Sequence, residues 1–250
     1  MAVASQFRRA RTVGGVWRKM KLLGIIGGLG PESTVDYYRQ IIASWRRQTG
    51  DRGYPAIVIT SLDVDKGLRL VGAQAYAELA DYLVEEVERL ARAGADFGLI
   101  SANTPHLVFD EVQRRSPIPL ISIVEAACAA AKRQGMAKVG LLGTRFTMQA
   151  RFYPDVFSRE GILLVTPSED EQLYIHDKYV HELIPGIFLD TTRGKLQQIV
   201  HRMWVEKQIQ GVLLAGTELP LILRRQEVPD IPLLDTTEIH VEAAVARLLS

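Results

Sequence analysis

The chain has 250 residues, 47% of them apolar, and a formal net charge of +1; this excludes a disordered chain and gives no electrostatic case for nucleic-acid or membrane binding. No apolar run approaches the ~18 residues of a membrane span, and a single cysteine, Cys128, excludes an internal disulfide framework. These properties predict a cytoplasmic globule of one domain, or of two of roughly 100–150 residues each.

Residues 1–20 carry five basic and no acidic side chains. A targeting peptide shares that bias but has an apolar core or amphipathic pattern, whereas apolar patterning here begins only at Leu22. The segment is expected to be a disordered basic extension. "KLLGIIGG" (21–28) then reads as a strand ending in glycines, and "PESTVDYYRQIIASW" (31–45) as a helix opened by Pro31 and Glu32. "PAIVITSLD" (55–63) is a second strand. Residues 75–92 place Leu79, Leu83, Val84, Val87 and Leu90 on one helical face, with Gly94 as its cap. "FGLIS" (97–101), "IPLISI" (118–123), "KVGLLGT" (138–144), "ILLVTP" (162–167), "GVLLAG" (211–216) and "IPLLDT" (231–236) continue the strand series, and a helical stretch over 170–184 stops at Pro185-Gly186. Strands that are apolar throughout and alternate with helices predict parallel sheets covered on both faces.

The two halves of the chain resemble each other. Gly24 of "GIIGG" matches Gly140 of "GLLGT", Ala102 matches Gly216, and Pro119 matches Pro232, at offsets of 116, 114 and 113 residues in the same order. Any two parallel-sheet units share apolar strands that end in glycine, but the Ile-Pro-Leu match goes further. The pattern predicts an α/β fold of two similar, Rossmann-like parallel-sheet domains related by pseudo-two-fold symmetry. The first is expected to span 21–118 plus 221–250 and the second 119–220.

Ligands bind such sheets beyond the carboxyl ends of the strands. "GGLGPEST", "SANTPH", "GTRFTM" and "AGTEL" occupy that position, with "DTTEIH" (235–240) as a fifth cluster, and all can line one cleft between the halves. "GGLGP" offers backbone N–H groups and a helix N-terminus to an anion; it also fits a tight strand-to-helix turn and matches neither the dinucleotide nor the Walker pattern. Asn103, Thr104, Thr144, Thr217 and Glu218 are the candidate ligand-binding residues, capping being the alternative use of the Asn and Thr side chains. Arg145 is available for a carboxylate. His106 faces the cleft or acts as a structural hydrogen-bonder. No metal-ligand spacing is present among the five histidines, and Cys128 in "EAACAAAKRQG" reads as a buried packing residue rather than a nucleophile.

In "GIIGGLGPEST", "ANTPH", "VGLLGTRFTM", "EQLYIH", "GTELPLIL" and "DTTEIH" the sequence resembles the aspartate/glutamate racemase family, from Met20 nearly to the C-terminus. The resemblance implies two similar α/β domains with a site between them and a homodimer. It also implies proton transfer at the α-carbon of a small amino acid or dicarboxylate, with neither pyridoxal phosphate nor metal. The family typically uses two cysteines on opposite faces of the substrate, in Cys-Asn-Thr and Gly-Cys-Thr-Glu. Here those positions are Ala102 and Gly216, neither of which titrates.

Two-thiol racemisation therefore has no thiols. Glu218, His106 and Thr104, in that order, are the candidate substitute acid/base groups, since a buried carboxyl can be raised toward neutrality. One working base would favour isomerisation, elimination or decarboxylation over inversion. A non-catalytic ligand-binding or regulatory homologue is the alternative, and a vestigial cleft on an interaction protein the third. In an otherwise intact cleft, Ala102→Cys with Gly216→Cys is expected to create racemase activity.

Overall fold

The structure, a computed structural model, describes residues 11–13, 16–18, 20–50 and 53–250. Strands β1 (Arg11–Val13) and β2 (Val16–Arg18) pair antiparallel. Residues 11–13 and 16–18 of the segment expected to be disordered are thus paired strands; residues 1–10, 14, 15 and 19 lie outside the described ones.

All eight strands anticipated from the apolar runs are present, in two parallel sheets. The first contains β3 (Leu22–Gly27), β4 (Ala56–Ser61), β5 (Phe97–Ile100) and β6 (Leu120–Ile121), in the order β4-β3-β5-β6. The second contains β7 (Lys138–Gly143), β8 (Leu163–Val165), β9 (Val212–Ala215) and β10 (Leu233–Asp235), in the order β10-β9-β7-β8. Read from the other edge, the second order repeats the first, so β3 corresponds to β7 and β5 to β9. The matched glycines have a physical reason. A Cβ on Gly24 would lie 3.0 Å from Leu90 Cδ1, and one on Gly140 2.8 Å from Ile209 Cδ1. In each half a neighbouring side chain packs closely over mid-strand and leaves little room for a Cβ.

Helices α1 (Pro31–Thr49), α2 (Val64–Gly72), α3 (Tyr76–Arg92) and α4 (Phe109–Arg115) belong with the first sheet, and a 3₁₀ turn over Thr104–Val108 leads into α4. The second sheet carries α6 (Arg145–Gln149), α7 (Phe152–Arg159), α8 (Glu169–Lys178), α9 (Asp190–Lys207) and α10 (Leu219–Ile222).

The remaining two helices are exchanged. α5 (Ile123–Arg133) leaves β6 of the first sheet and buries Ile123, Ala127 and Ala131 with Val139, Leu141 and Leu213 of the second. α11 (Thr236–Leu249) leaves β10 of the second sheet and buries Val241, Ala244 and Val245 with Leu23, Ile25, Phe97 and Leu99 of the first. The expected domain limits are corrected accordingly. Residues 119–121 pair in the first sheet and residues 233–235 in the second; of the 221–250 stretch, it is α11 that packs with the first half. Sequence order alone could not separate a last strand from the helix that follows it.

Candidate functional site

Ala102 follows β5 and Gly216 follows β9, at corresponding strand ends of the two halves. Ala102, Asn103, Thr104, Thr144 and Thr217 line a common cavity of about 50 Å³. Four of the five predicted binding residues therefore meet there, together with Ala102. Gly216 does not itself line this cavity, and wider surface grooves of about 580 and 610 Å³ do not include Ala102.

The sequence reading missed the residue that fills the centre of the site. α8 starts at a capping box of Ser168 and Glu171 and ends in a π-helical turn over Tyr179–Leu183, closed by a hydrogen bond from Ile184 N–H to the Tyr179 carbonyl at 3.0 Å. Such turns insert an extra residue and redirect side chains, often at functional sites. Here the turn drives the Tyr179 ring against Gly216. A Cβ on Gly216 would lie 2.5 Å from Tyr179 Cε2 and 2.9 Å from its hydroxyl oxygen. The phenol thus stands where the resemblance places the second thiol. A glycine at a strand end announces that something lies close, but no spacing says what.

Tyr179 Oη donates to Glu218 Oε2, which also accepts from Thr217 Oγ1 at 2.9 Å. Glu218 itself does not line the cavity; it lies behind Tyr179 and Thr217, fully buried. Its Oε1 has no hydrogen-bond partner and abuts the chain at Gly30, where a Cβ would fall 2.0 Å from it. Gly30 is the N-cap of α1, with φ of 137°, a conformation open to glycine. The anion site foreseen in "GGLGP" thus faces a carboxylate of the chain itself, at the positive end of a 19-residue helix. Burial nevertheless dominates and pushes the Glu218 carboxyl up, against the hydrogen bonds from Tyr179 and Thr217. Burial also pushes the Tyr179 phenol well up, reinforced by the neighbouring carboxylate.

The other candidates have structural duties. Asn103 accepts from Tyr153 Oη at 2.5 Å and donates through Nδ2 to Thr236 Oγ1 at 3.2 Å, so both ends of its amide are engaged in joining the halves. Thr104, Thr144 and Thr147 form a hydroxyl triangle, with Thr104 3.0 Å from Thr144 and 3.3 Å from Thr147. Thr144 also caps α6, accepting from Thr147 N–H at 3.2 Å, the alternative use considered for it. Arg145 does not line the cavity; its guanidinium lies 5.6 Å from the Phe146 ring centroid.

His106 has both ring nitrogens engaged within the fold, the structural use considered for it. Its Nε2 accepts from the Ile123 N–H at 3.2 Å, so its Nδ1–H donates to the Ala102 carbonyl at 3.0 Å, and the ring stacks on Phe109. Burial pushes its pKa down to about 3. In the fifth cluster Asp235 caps α11 through Thr237 and Glu238 N–H groups at 2.8 and 3.1 Å, and burial pushes its carboxyl up to about 6. His240 bridges Tyr37 Oη and the Ile121 carbonyl, both at 2.9 Å, and burial takes it down to about 4. None of residues 235–240 lines the cavity.

Both buried rings are neutral in the fold and have an ordinary value near 6.5 when unfolded. The unfolded chain therefore binds more protons below that value, and folding stability falls as pH drops from 6.5 toward 4 and 3. The His106 and His240 ring resonances should not titrate between pH 8 and 5, while the melting temperature declines from pH 6.5 downward. A shift of either ring signal near pH 6.5 would contradict this.

Among the described residues no group of three or more His, Cys, Asp or Glu side chains could hold a metal ion, and no helix is long and apolar enough to cross a membrane. Cys128 packs within the core of the second half, and burial raises its thiol.

A family model described as Asp/Glu/hydantoin racemase matches residues 26–244. A candidate Asp/Glu racemase from Yersinia pestis superposes with a TM-score of 0.82 at 33% identity, over 92% of this chain and all of the other. An aspartate racemase homologue from Pyrococcus horikoshii OT3 gives 0.80 at 32% identity, with the same coverage. Among characterised relatives, the broad specificity amino-acid racemase RacX of Bacillus subtilis is 22% identical over 242 residues, 92% of this chain and 99% of RacX.

Proposed function

Because the chain belongs to the Asp/Glu/hydantoin racemase family, we propose that it binds a small amino acid or related carboxylate in the cavity lined by Ala102 and Tyr179 and moves the α-proton from one face only. The observation that carries this is the phenol of Tyr179 in the place of the second thiol, hydrogen-bonded to a buried carboxylate. On the opposite wall stands Ala102, which holds no proton. The family's two-sided inversion thus lacks one partner, while the other side keeps an acid/base pair.

The step balances within the site. The Tyr179 oxygen accepts the α-proton as its own proton passes to Glu218 Oε2. The electron pair of the broken Cα–H bond moves into the adjacent carboxylate, giving an enediolate. Return of a proton from the same side restores the substrate with its configuration retained. A carboxyl raised by burial suits the role of a base near neutral pH. Cofactor independence, a cytoplasmic setting and the homodimer that the resemblance implies belong to the same proposal.

Proton NMR in D₂O tests it. The wild type should exchange the α-hydrogen of a bound amino acid without optical inversion. Tyr179→Phe and Glu218→Gln should each lower the exchange rate by about 10²-fold or more, with ligand-dependent thermal stabilisation retained. A second reading, ligand binding without chemistry, is favoured by the small cavity and by the proton-free wall at Ala102. Stabilisation by ligand with no exchange would select it.

A further inference from the structure

The family description includes two acidic substrates, and the cavity does not suit them. Its fourteen lining residues include no charged side chain. One wall comes from α2, an element that the sequence reading did not single out. Val64, Gly67, Leu68 and Val71 fall at positions i, i+3, i+4 and i+7 and so form a single stripe facing the cavity. Asp65, Lys66 and Arg69 of the same helix are exposed. Ile184, from the end of the π-helical turn, continues the apolar wall beside Tyr179.

We infer that this stripe is the substrate side-chain subsite and that it takes a small aliphatic group and rejects a second carboxylate. The inference rests on the one-face reading above for where the α-carbon lies. Its own grounds are separate. A carboxylate placed against α2 would lose its water and meet no cation. It would also share a low-dielectric site with Glu218, already buried behind Tyr179. An alkyl group loses nothing and covers apolar surface. The free volume of about 50 Å³ must also hold the α-amino and α-carboxylate groups, so a whole amino acid enters only if α2 or the Tyr179–Leu183 turn yields, and the smallest side chains require the least yielding.

The experiment is a paired panel on the wild-type chain. Saturation-transfer NMR reports binding and α-hydrogen exchange in D₂O reports chemistry, for alanine, 2-aminobutyrate and valine against aspartate and glutamate. Alanine or 2-aminobutyrate should bind at least tenfold more tightly than aspartate. Leu68→Arg, at the half-buried rim of α2, should reverse that preference by at least tenfold. Aliphatic binding without exchange would uphold the subsite and remove the one-face chemistry. Exchange of aspartate as fast as that of 2-aminobutyrate would uphold the chemistry and overturn the subsite. Binding of no member of the panel would also overturn it.

Discussion

Gly216→Cys should lower the melting temperature and supply no working thiol. The new Cβ would stand 2.5 Å from Tyr179 Cε2, closer than real Cβ contacts allow, so the ring or the strand end must move. Overpacking of this kind costs about 1–3 kcal/mol. Ala102→Cys is a different case, since Ala102 already carries a Cβ and lines open space. The double replacement expected from the sequence to bring back racemase activity should therefore fail, for want of room rather than for want of a thiol. Removing the ring supplies the room. Tyr179→Ala is destabilising alone, but Gly216→Cys added to it should cost about 1–2 kcal/mol less than in the wild-type background, a coupling within reach of a double-mutant cycle. Ala102→Cys, Gly216→Cys and Tyr179→Ala together should then invert an amino acid where the thiol pair alone does not. Thermal melts and polarimetry read both parts. Equal melting temperatures for Gly216→Cys and wild type would show that the phenol yields freely.

Asn103→Ala should cost about 2–4 kcal/mol, mostly through what it strands. The Tyr153 hydroxyl is fully buried and donates to Asn103 Oδ1, and Thr236 loses the amide that reaches it from the first half. Tyr153→Phe added to Asn103→Ala should cost little more, because the donor left without a partner is then gone. Denaturant melts of the four variants close the cycle. A mainly ligand-holding Asn103 would give the opposite pattern, with stability nearly intact and affinity lost.

The eight strands were legible because each is an apolar run bounded by turn residues, and the repeat was legible because both halves place a bare mid-strand glycine beneath a close-packed side chain. The convergence of Asn103, Thr104, Thr144 and Thr217 followed from their places after strands. What stayed hidden depends on contacts that are not periodic. α2 is only nine residues long and its stripe has a meaning only opposite Thr104 and Tyr179. His106 looked like a cleft residue until Ile123 N–H and the Ala102 carbonyl claimed both its nitrogens. Tyr179 lay within a stretch correctly read as helical, but the extra residue of its π turn, which aims the ring, leaves no mark in composition. The absent thiol was visible at Gly216, and the side chain that replaces it was thirty-seven positions away.

The exchange of α5 and α11 constrains how the two halves can move against each other. Each half lends the other a helix, and the two lent helices pack side by side. Swinging the halves apart about a hinge would strip Val241, Ala244 and Val245 from one core and Ile123, Ala127 and Ala131 from the other, at a cost comparable to unfolding. The molecule is laced shut along that seam. α2 and the π-helical turn wall the cavity without belonging to that seam, and the two sheets serve as its fixed frame.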